Sequence, residues 1–256
     1  MIYVGVPAYN ERRTVGLLLW RVREILTRIE RDFEMLVVDD ASTDGTAGIL
    51  DPYRRVLPLT VVRNPRRMGY AASVERLIRE AVGRSAYPRR DAFVCLQADF
   101  SDAPETVPEM LRRFEGGVDL ITVAREETAP SRSVRLARRG ATFLGRSLRT
   151  PPEISDPFHG FRMYRLFTLK RALEQVADDR LLRHRGWAAN AELLMAVSPY
   201  VRQVDEVPAA AGGSRHVRAS RFRAFPELWS VYRASRDRRL QGPQLSRDFA
   251  GAGVPR

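Results

Sequence analysis

Two aspartates stand three positions apart at the end of an apolar run in FVCLQADFSDAPE, residues 93–105. The run is typical of a buried strand, so Asp99 and Asp102 mark the point where that strand leaves the core. Carboxylates at such a point can ligate a divalent cation, whereas in an ordinary surface turn they would only cap the next helix. The stretch therefore predicts either a site for charge or the start of a turn.

Short runs rich in β-branched residues predict the strands that position these acids. They are IYVGVP (2–7), MLVV (35–38), LTVV (59–62), AFVCLQ (92–97) and LITVA (120–124). Helical spacing occupies the segments between them, 12–31, 44–55, 70–83 and 104–115. This alternation predicts an α/β fold with a mainly parallel sheet covered by helices on both faces.

Each predicted strand is followed by polar residues that can contact a ligand. They are Tyr9 to Glu11, Asp39 and Asp40, Asn64 to Gly69, Asp99 to Asp102, and Arg125. Because the carboxyl ends of parallel strands meet at one edge of a sheet, where such folds bind ligands, we expect these residues to converge. The sequence therefore predicts a binding site at this edge.

The second half of the chain has a different pattern. We predict an arginine-rich amphipathic helix at 133–148, a turn-rich segment at 155–165 that leads into a helix, a helix at 188–197, an edge strand at 201–208 and a final helix at 226–240. The arginine-rich helix suits an anionic membrane surface, although its apolar stripe could equally pack against the sheet.

The chain of 256 residues carries a net charge of +12, nearly all from arginine, since Lys170 is the only lysine. This charge favours anionic partners such as phosphorylated substrates or acidic lipid headgroups. A nucleic-acid partner is not expected, because no reader motif is present. The single cysteine, Cys95, is expected in the core of a cytosolic chain. The sequence has no run of about 20 apolar residues and no leader, so we expect only peripheral membrane contact.

Several common nucleotide or phosphate sites do not fit this sequence. A dinucleotide-binding fold needs a glycine-rich turn after the first strand, where this chain has PAYNERR. A receiver domain would carry its acidic pair after the first strand, and a GxxxxGK[ST] loop is absent. What remains is a nucleotide site in which acids after the second strand contact base or ribose. A cation bound by the acids after the fourth strand would neutralise a diphosphate.

Four motifs, VPAYNE, LVVDDASTDGT, NPRRMGYAAS and LQADFSDAPE, resemble the family 2 glycosyltransferases of the GT-A fold. RRGATFL, SDPFHGFRMYR, AELLMAV, DEVP and RHVRASRF are similar to dolichol-phosphate mannose synthases and other polyprenyl-phosphate glycosyltransferases. The resemblance implies one catalytic domain over 1–232, with a nucleotide-sugar half at 1–125 and an acceptor half at 126–232. Residues 233–256 would be the end of a helix and a disordered basic tail.

On the donor side, the resemblance implies a nucleobase and ribose pocket. Its lining residues would be Pro7, Tyr9, Glu11 and Asp39. Asp40 would support the same turn or, alternatively, cap the helix that begins near Thr43.

The resemblance also implies a site for Mg²⁺ or Mn²⁺, where Asp99 ends the family's Asp-x-Asp motif and would be a catalytic residue. The family usually reads Asp-Ala-Asp, whereas this chain has Gln97 in the first position. A glutamine carbonyl can ligate the cation but adds no charge, so metal affinity should fall or Asp102 should help. Ser101 stands where the family often supplies a further contact.

On the acceptor side, the resemblance implies a phosphate site built from arginines. Its residues would be Arg125, Arg139, Arg215, Ser220 and Arg221, for which a solvated basic face is the alternative. Arg218 and Ala219 depart from the family's usual glycine and glutamate in the last group.

Asp156 would be the second catalytic residue, in the acceptor-side turn. A phosphate acceptor is already ionised and would need Asp156 only for orientation, whereas a hydroxyl acceptor would need it as the general base. His159 could reach the metal or could simply pack in the turn.

The function implied is inverting, metal-dependent transfer of a hexose, with mannose favoured, from a nucleoside-diphosphate sugar to polyprenyl phosphate. GDP-mannose and UDP-glucose are the donors expected, and a hydroxyl acceptor is the alternative. The protein would work in the cytoplasm at the inner face of the membrane, visiting its surface or binding a separate anchoring protein.

Overall fold

The structure is a computed structural model that describes residues 1–124, 151, 153–176, 179–210 and 224–237. The strands are Ile2–Ala8 (β1), Phe33–Asp39 (β2), Leu59–Arg63 (β3), Ala92–Cys95 (β4), Leu120–Ala124 (β5), Arg162–Arg165 (β6) and Val204–Pro208 (β7). The helices are Val15–Leu26 (α1), Thr46–Tyr53 (α2), Tyr70–Arg84 (α3), Val107–Glu115 (α4), Leu166–Val176 (α5), Trp187–Val197 (α6) and Ala224–Ser235 (α7). Short 3₁₀ turns occupy Pro104–Thr106 and Ser198–Tyr200.

These strands form one sheet in the order β3-β2-β1-β4-β6-β5-β7. Neighbouring strands pair in parallel except at β6, which runs antiparallel to both β4 and β5. The five strands predicted in the first half are all present, and the predicted edge strand forms β7 at one edge of the sheet. The α/β class and the mainly parallel sheet are therefore confirmed.

The prediction for 155–165 was wrong in its second half, because Arg162–Arg165 forms an interior strand, β6. Met163 in this strand pairs with Val94 on one side and Ile121 on the other. The segment is only four residues long and has an arginine at each end, so its sequence looks exposed. Its burial comes from the strands on either side and from the apolar clusters on the two faces of the sheet, in which Met163 and Tyr164 lie. Sequence periodicity does not reveal these partners.

Helices cover both faces of the sheet, as predicted. Leu18 of α1 and Met110 of α4 are fully buried in the cluster on one face, which also includes Leu50 of α2. Leu77 of α3 and Leu194 of α6 lie in the cluster on the other face, together with apolar residues of α5. Cys95 is buried in this second cluster, which confirms its predicted core position.

Helix boundaries differ from prediction mainly at their ends. The segment 12–31 is helical only over Val15–Leu26, and the one at 104–115 begins with a 3₁₀ turn. The final helix ends at Ser235. The arginine-rich helix predicted at 133–148 and most of the predicted tail lie outside the described residues. In the described part of the chain, every helix is too short or too polar to cross a bilayer.

The strand order places a crevice beside β1. From β1 the chain builds β2 and β3 on one side, and it then crosses back to add β4 on the other side. Ligands of open α/β sheets bind outside the carboxyl ends of the strands at such a switch point. The loops that follow β1, β2 and β4 are therefore the ones that the fold brings together for binding.

Candidate active site

The loop after β1 is fixed to the loop after β2 by hydrogen bonds. The backbone N–H of Asn10 donates to Oγ of Ser42 at 2.8 Å, and Oδ1 of Asn10 accepts the backbone N–H of Thr43 at 2.8 Å. The backbone N–H of Glu11 donates to Oγ1 of Thr46 at 2.9 Å. The loop after β1 is therefore held against the residues that lead into α2 and against its first residue.

Asp39 ends β2 with its side chain fully buried. Its Oδ1 accepts the backbone N–H of Ser42 at 3.0 Å. Its Oδ2 is buried too, but no donor among the described residues reaches it. Nε of Arg63 lies 3.4 Å from Oδ2 without the geometry of a hydrogen bond. Because a buried acceptor without a donor is costly, Oδ2 points to an N–H or O–H supplied by a ligand.

The other residues predicted for the donor pocket lie beside Asp39. Pro7 is half-buried in β1 and pairs with Val38 of β2. Tyr9 is half-buried, with the guanidinium of Arg67 4.1 Å from the centre of its ring. Glu11 is buried, and its carboxylate accepts the hydroxyl of Thr14 at 2.8 Å. The fold therefore brings all four predicted residues to neighbouring strand ends.

Asp40 anchors the loop that follows β3. Its carboxylate accepts the backbone N–H groups of Met68 and Gly69 at 2.7 and 2.8 Å and the amide of Asn64 at 2.7 Å. The alternative predicted for it, a cap for α2, is not found, because Asp40 instead holds the loop that leads into α3. The first residue of α2 donates instead to Asp44, at 3.0 Å. Asp40 therefore stabilises the conformation of the loop after β3, next to Asp39.

The turn after β4 carries the expected metal ligands. Asp99 is half-buried, and its Oδ1 accepts the backbone N–H of Ser101 at 3.0 Å. Phe100 between them has a positive φ of 60°, in the left-handed region that non-glycine residues rarely adopt. Gln97 and Ser101 are also half-buried. The turn therefore places three oxygen-bearing side chains within five residues of one another.

Asp102 is buried, and its two oxygens have different partners. Oδ2 accepts the backbone N–H of Gln97 at 2.9 Å, and Oδ1 lies 3.4 Å from Nε2 of His159. No side chain caps the 3₁₀ turn that begins at Pro104, so the predicted capping role of Asp102 was wrong. His159 is packed in its turn, with Nδ1 3.2 Å from the carbonyl oxygen of Val123.

A divalent cation fits the chemistry of this turn if a ligand completes its coordination. The described residues include no group of three or more His, Cys, Asp or Glu side chains that could hold a metal ion. However, Asp99, Gln97 and Ser101 offer carboxylate, amide and hydroxyl oxygens, which are the hard ligands that Mg²⁺ and Mn²⁺ prefer. Mg²⁺ is commonly held by one or two carboxylates together with substrate phosphates. The donor set fits that arrangement.

The turn that carries Asp156 is held by a buried arginine. Oδ1 of Asp156 accepts the backbone N–H of Phe158 at 2.9 Å. Arg162 is fully buried and donates to the carbonyl oxygens of Asp156, Pro157 and Asn190 at 3.2, 2.8 and 2.8 Å. Sequence analysis did not single out Arg162, although an arginine within the apolar run GFRMY was a signal for a buried role.

A second polar contact fixes the same turn from α6. Asn190 donates to the carbonyl oxygen of Phe158 at 2.9 Å and accepts the hydroxyl of Tyr70 at 2.9 Å. Burial raises the pKa of the Tyr70 hydroxyl well above its ordinary value, so this group remains a donor. A Cβ on Gly160 would lie 2.8 Å from the Tyr70 oxygen, so any larger residue there would displace Tyr70 or Asn190. Spacing in the sequence gave no sign of this network.

The residues predicted for the acceptor phosphate lie outside the described residues. They are Arg125, Arg139, Arg215, Ser220 and Arg221. Their roles stay predictions, although Arg125 directly follows β5, whose carboxyl end lies at the same edge of the sheet as those of β1 and β4.

Curated proteins that are similar to this chain in sequence include two transferases. A dolichol-phosphate mannosyltransferase of Pyrococcus furiosus is 30% identical over 167 residues, which are 62% of this chain and 45% of that protein. An undecaprenyl-phosphate 4-deoxy-4-formamido-L-arabinose transferase of Pseudomonas fluorescens is 26% identical over 155 residues, 57% of this chain and 44% of that protein. The chain thus spans a little under half the length of these curated relatives.

Solved structures share the fold. Glucosyl-3-phosphoglycerate synthase of Mycobacterium tuberculosis, in complex with Mn²⁺, UDP and glucosyl-3-phosphoglycerate, matches with a TM-score of 0.61 and 21% identity. The match covers 91% of this chain and 76% of that one. Residues 1–349 of TarS from S. aureus match with a TM-score of 0.53 and 17% identity, over 80% of this chain and 57% of that one. The fold is therefore GT-A, as the resemblance implied.

A family model extends over most of the described core. The model for glycosyl transferase family 2 matches residues 3–173, from β1 into α5 and including every strand except β7. This stretch contains the turns that carry Asp39, Asp99 and Asp156. The chain belongs to glycosyl transferase family 2.

Proposed function

We propose that the protein is an inverting glycosyltransferase that moves a hexose from a nucleoside-diphosphate sugar to polyprenyl phosphate. The observation that carries the proposal is the buried Oδ2 of Asp39, which lacks a donor among the described residues at the switch point of the sheet. Both curated relatives are named as transferases that act with a polyprenyl phosphate, and this supports polyprenyl phosphate as the acceptor. Mannose is the first sugar to test because one of them transfers it.

The donor would bind with its base against Asp39. A carboxylate oxygen accepts a hydrogen bond, so Oδ2 favours a base with a ring N–H, such as uracil or guanine. Tyr9 and Pro7 would contact the base or ribose from β1, while Glu11 and Asp40 hold the loops in place. The UDP bound to the glucosyl-3-phosphoglycerate synthase of the same fold supports a nucleoside diphosphate here.

The diphosphate would lie at the turn after β4. Asp99, with the side chains of Gln97 and Ser101, would hold Mg²⁺ or Mn²⁺ against its oxygens. Such a cation would neutralise the charge that develops on the departing nucleoside diphosphate. Because Gln97 is uncharged, Asp99 would be the main negative ligand from this chain. The Mn²⁺ in the related crystal structure supports a divalent cation.

The acceptor would approach from the side of Asp156. An oxygen of the polyprenyl phosphate would form a bond to C1 of the sugar as the bond from C1 to the diphosphate breaks, which inverts the anomeric centre. The second pKa of a phosphate monoester lies near 6, so the nucleophile needs no base at neutral pH. Asp156 would orient the acceptor, and Arg125, Arg139, Arg215, Ser220 and Arg221 would hold its charge.

The lipid acceptor requires contact with a membrane. We place the protein in the cytoplasm, at the inner face of the membrane, where its positive charge favours anionic headgroups. The protein would bind this surface itself or through a separate anchoring protein. Vesicle sedimentation at low and high salt would test the first of these, since electrostatic attachment weakens as salt rises.

The test of function is a transfer assay with the full chain. Labelled GDP-mannose or UDP-glucose is incubated with vesicles that contain undecaprenyl phosphate, with Mn²⁺ or with EDTA. We expect label in the organic phase only when Mn²⁺ is present, and loss of that label in the Asp99→Asn variant. Label that reaches only a soluble sugar or glycan would indicate the hydroxyl-acceptor alternative with Asp156 as base. Absence of transfer from any donor would contradict the proposal.

A further inference from the structure

His159 connects three segments of the sheet edge that the proposed reaction would use separately. Its own turn carries Asp156, its Nδ1 contacts the end of β5 at Val123, and its Nε2 faces Asp102 in the turn after β4. We infer that His159 is a positioning residue that ties the acceptor-side turn to the metal-binding turn. The inference rests on the proposed function for its consequences, although the connection itself is a feature of the fold.

The contact with Val123 fixes the orientation of the imidazole ring. A carbonyl oxygen can only accept, so Nδ1 donates across the 3.2 Å that separate the two atoms. Phe161 packs edge-on against the ring, with centroids 6.4 Å apart. The side chain is only 15% exposed. The ring is therefore held from two sides, and Nε2 is directed at a single place in the structure.

That place is the carboxylate of Asp102. Nε2 lies 3.4 Å from Oδ1, and because Nδ1 donates to Val123 the two groups form an ion pair when the imidazole carries both ring protons. Oδ2 accepts the backbone N–H of Gln97 at 2.9 Å. Asp102 is 4% exposed, so its charge has little contact with solvent. The chain of contacts runs from His159 through one carboxylate to the backbone of a predicted metal ligand. Asp99 lies two residues further along the same turn.

This connection sets the separation between donor and acceptor. The turn after β4 would hold the cation on the diphosphate, and the turn before β6 would orient the attacking oxygen. Misplacement of reacting groups by about 1 Å can cost about a hundredfold in rate, so elements that fix such a separation are functionally important. Contacts in the shell behind a metal ligand typically change metal affinity or activity about 10-fold to 100-fold when they are lost.

A second histidine provides a matched control. His184 has its Nε2 3.2 Å from Oδ2 of Asp237 and is 14% exposed, so it resembles His159 in pairing and burial. It connects the loop before α6 to the residues that follow α7, and this contact does not involve any of the strand-end turns. A general loss of stability from breaking a buried histidine–aspartate pair would therefore appear in variants at either position.

Two substitutions separate the contacts that His159 makes. The amide nitrogen of asparagine reaches about as far as Nδ1, so His159→Asn can keep the bond to Val123 while it loses Asp102. The longer His159→Gln reaches about as far as Nε2 and can keep Asp102. Asp102→Asn and the control His184→Asn complete the set. Two quantities are measured for each variant. The first is hydrogen–deuterium exchange of the segment 97–102 without metal, and the second is the Mn²⁺ concentration that gives half-maximal transfer.

We expect His159→Asn to speed exchange at 97–102 and to raise the half-maximal Mn²⁺ concentration about tenfold. His159→Gln should stay near wild type in both measurements, and His184→Asn should change neither. Wild-type values for both measurements in His159→Asn would overturn the inference, as would equal effects of His159→Asn and His184→Asn. If the wild-type protein transfers no sugar, the proposed function fails, whereas the exchange measurement still decides whether His159 holds the turn.

Discussion

Oδ2 of Asp39 and Nε of Arg63 lie 3.4 Å apart, yet no hydrogen bond joins them. The Asp39 side chain is 1% exposed and that of Arg63 is 60% exposed. The guanidinium therefore offsets part of the buried charge while Oδ2 keeps its capacity to accept a hydrogen bond. An acceptor of this kind distinguishes bases by whether they present a donor at the facing position.

The first prediction follows from that acceptor. Asp39→Asn keeps an oxygen for the N–H of Ser42 but places an amide donor where Oδ2 was. UDP, which presents N3–H, should lose at least about tenfold in affinity, because two donors would then face each other. CDP, which presents an unprotonated N3, should lose less. Isothermal titration of both nucleotides with Mn²⁺ measures the ratio. An unchanged preference for UDP over CDP would show that Asp39 does not face the base.

A second prediction concerns the loop after β3. Asp40 accepts three hydrogen bonds, and Asp40→Asn leaves one oxygen for them and an amide donor against the N–H of Met68 or Gly69. Hydrogen bonds to a charged group contribute about 1.5–3 kcal/mol each. We expect the free energy of unfolding to fall by about 2–4 kcal/mol in urea titrations. The exposed Asp51→Asn in α2 is the control, and similar values for the two variants would show that Asp40 does not hold this loop.

A strand can be predicted from the sequence when its own residues are apolar, and it is missed when only its neighbours in the fold bury it. Strands β1 to β5 were predictable because their own residues are apolar in short β-branched runs. Strand β6 was not, because its central pair, Met163 and Tyr164, is flanked by arginines. Arg162 donates to three carbonyl oxygens that belong to a turn and to α6. Only the packed structure supplies those partners.

The site shows the same division. The positions of acids and polar residues after the strands were visible in the sequence. The parallel order of β1, β2, β3 and β4 brings these residues to one edge of the sheet. Which donor each acid accepts was not visible. Asp40 and Asp102 both hold backbone N–H groups of turns, a role that depends on loop conformation rather than spacing. The contact of Tyr70 with Asn190 joins residues 120 positions apart.

A third prediction uses the space around Gly160. A Cβ at this position would lie 2.8 Å from the Tyr70 oxygen and 3.1 Å from Nδ2 of Asn190. Gly160→Ala should therefore break the contacts that hold the acceptor-side turn and lower the free energy of unfolding by about 1–3 kcal/mol. Gly48→Ala in α2 is the control, because nothing lies within 4 Å of its Cβ. That variant should be neutral or more stable by up to about 1 kcal/mol.

Thermal and urea unfolding of both glycine variants test this prediction. We also expect transfer activity to fall more in Gly160→Ala than its stability loss alone explains, because the turn positions Asp156. The comparison is made at a temperature where both variants are folded. Equal stability and activity in the two variants would show that the turn tolerates a shift of Tyr70 and Asn190.

A fourth prediction concerns alkaline pH. Burial raises the pKa values of Tyr70 and Tyr164 above their ordinary value, whereas unfolded tyrosines ionise near 10. The stability that these two side chains contribute is therefore complete below about pH 10 and is lost as pH rises toward their folded pKa values. Absorbance at 295 nm should show Tyr70 and Tyr164 ionising only as the protein unfolds. Complete titration of all tyrosines in the folded protein would contradict this.

The last prediction concerns the uncharged residue of the metal-binding turn. Gln97→Asp would add a second carboxylate two positions before Asp99, which gives the cation another negative ligand. Because affinity for such cations rises with the number of charged ligands, the Mn²⁺ concentration for half-maximal activity should fall about tenfold. Gln97→Asn is the matched control, since it has the length of aspartate without the charge, and it should not lower that concentration.

The nearby Asp102 carboxylate, bonded to the backbone N–H of residue 97, would repel the new charge and limit the gain in Mn²⁺ affinity. Equal Mn²⁺ requirements in the aspartate and asparagine variants at position 97 would show that this side chain does not contact the cation.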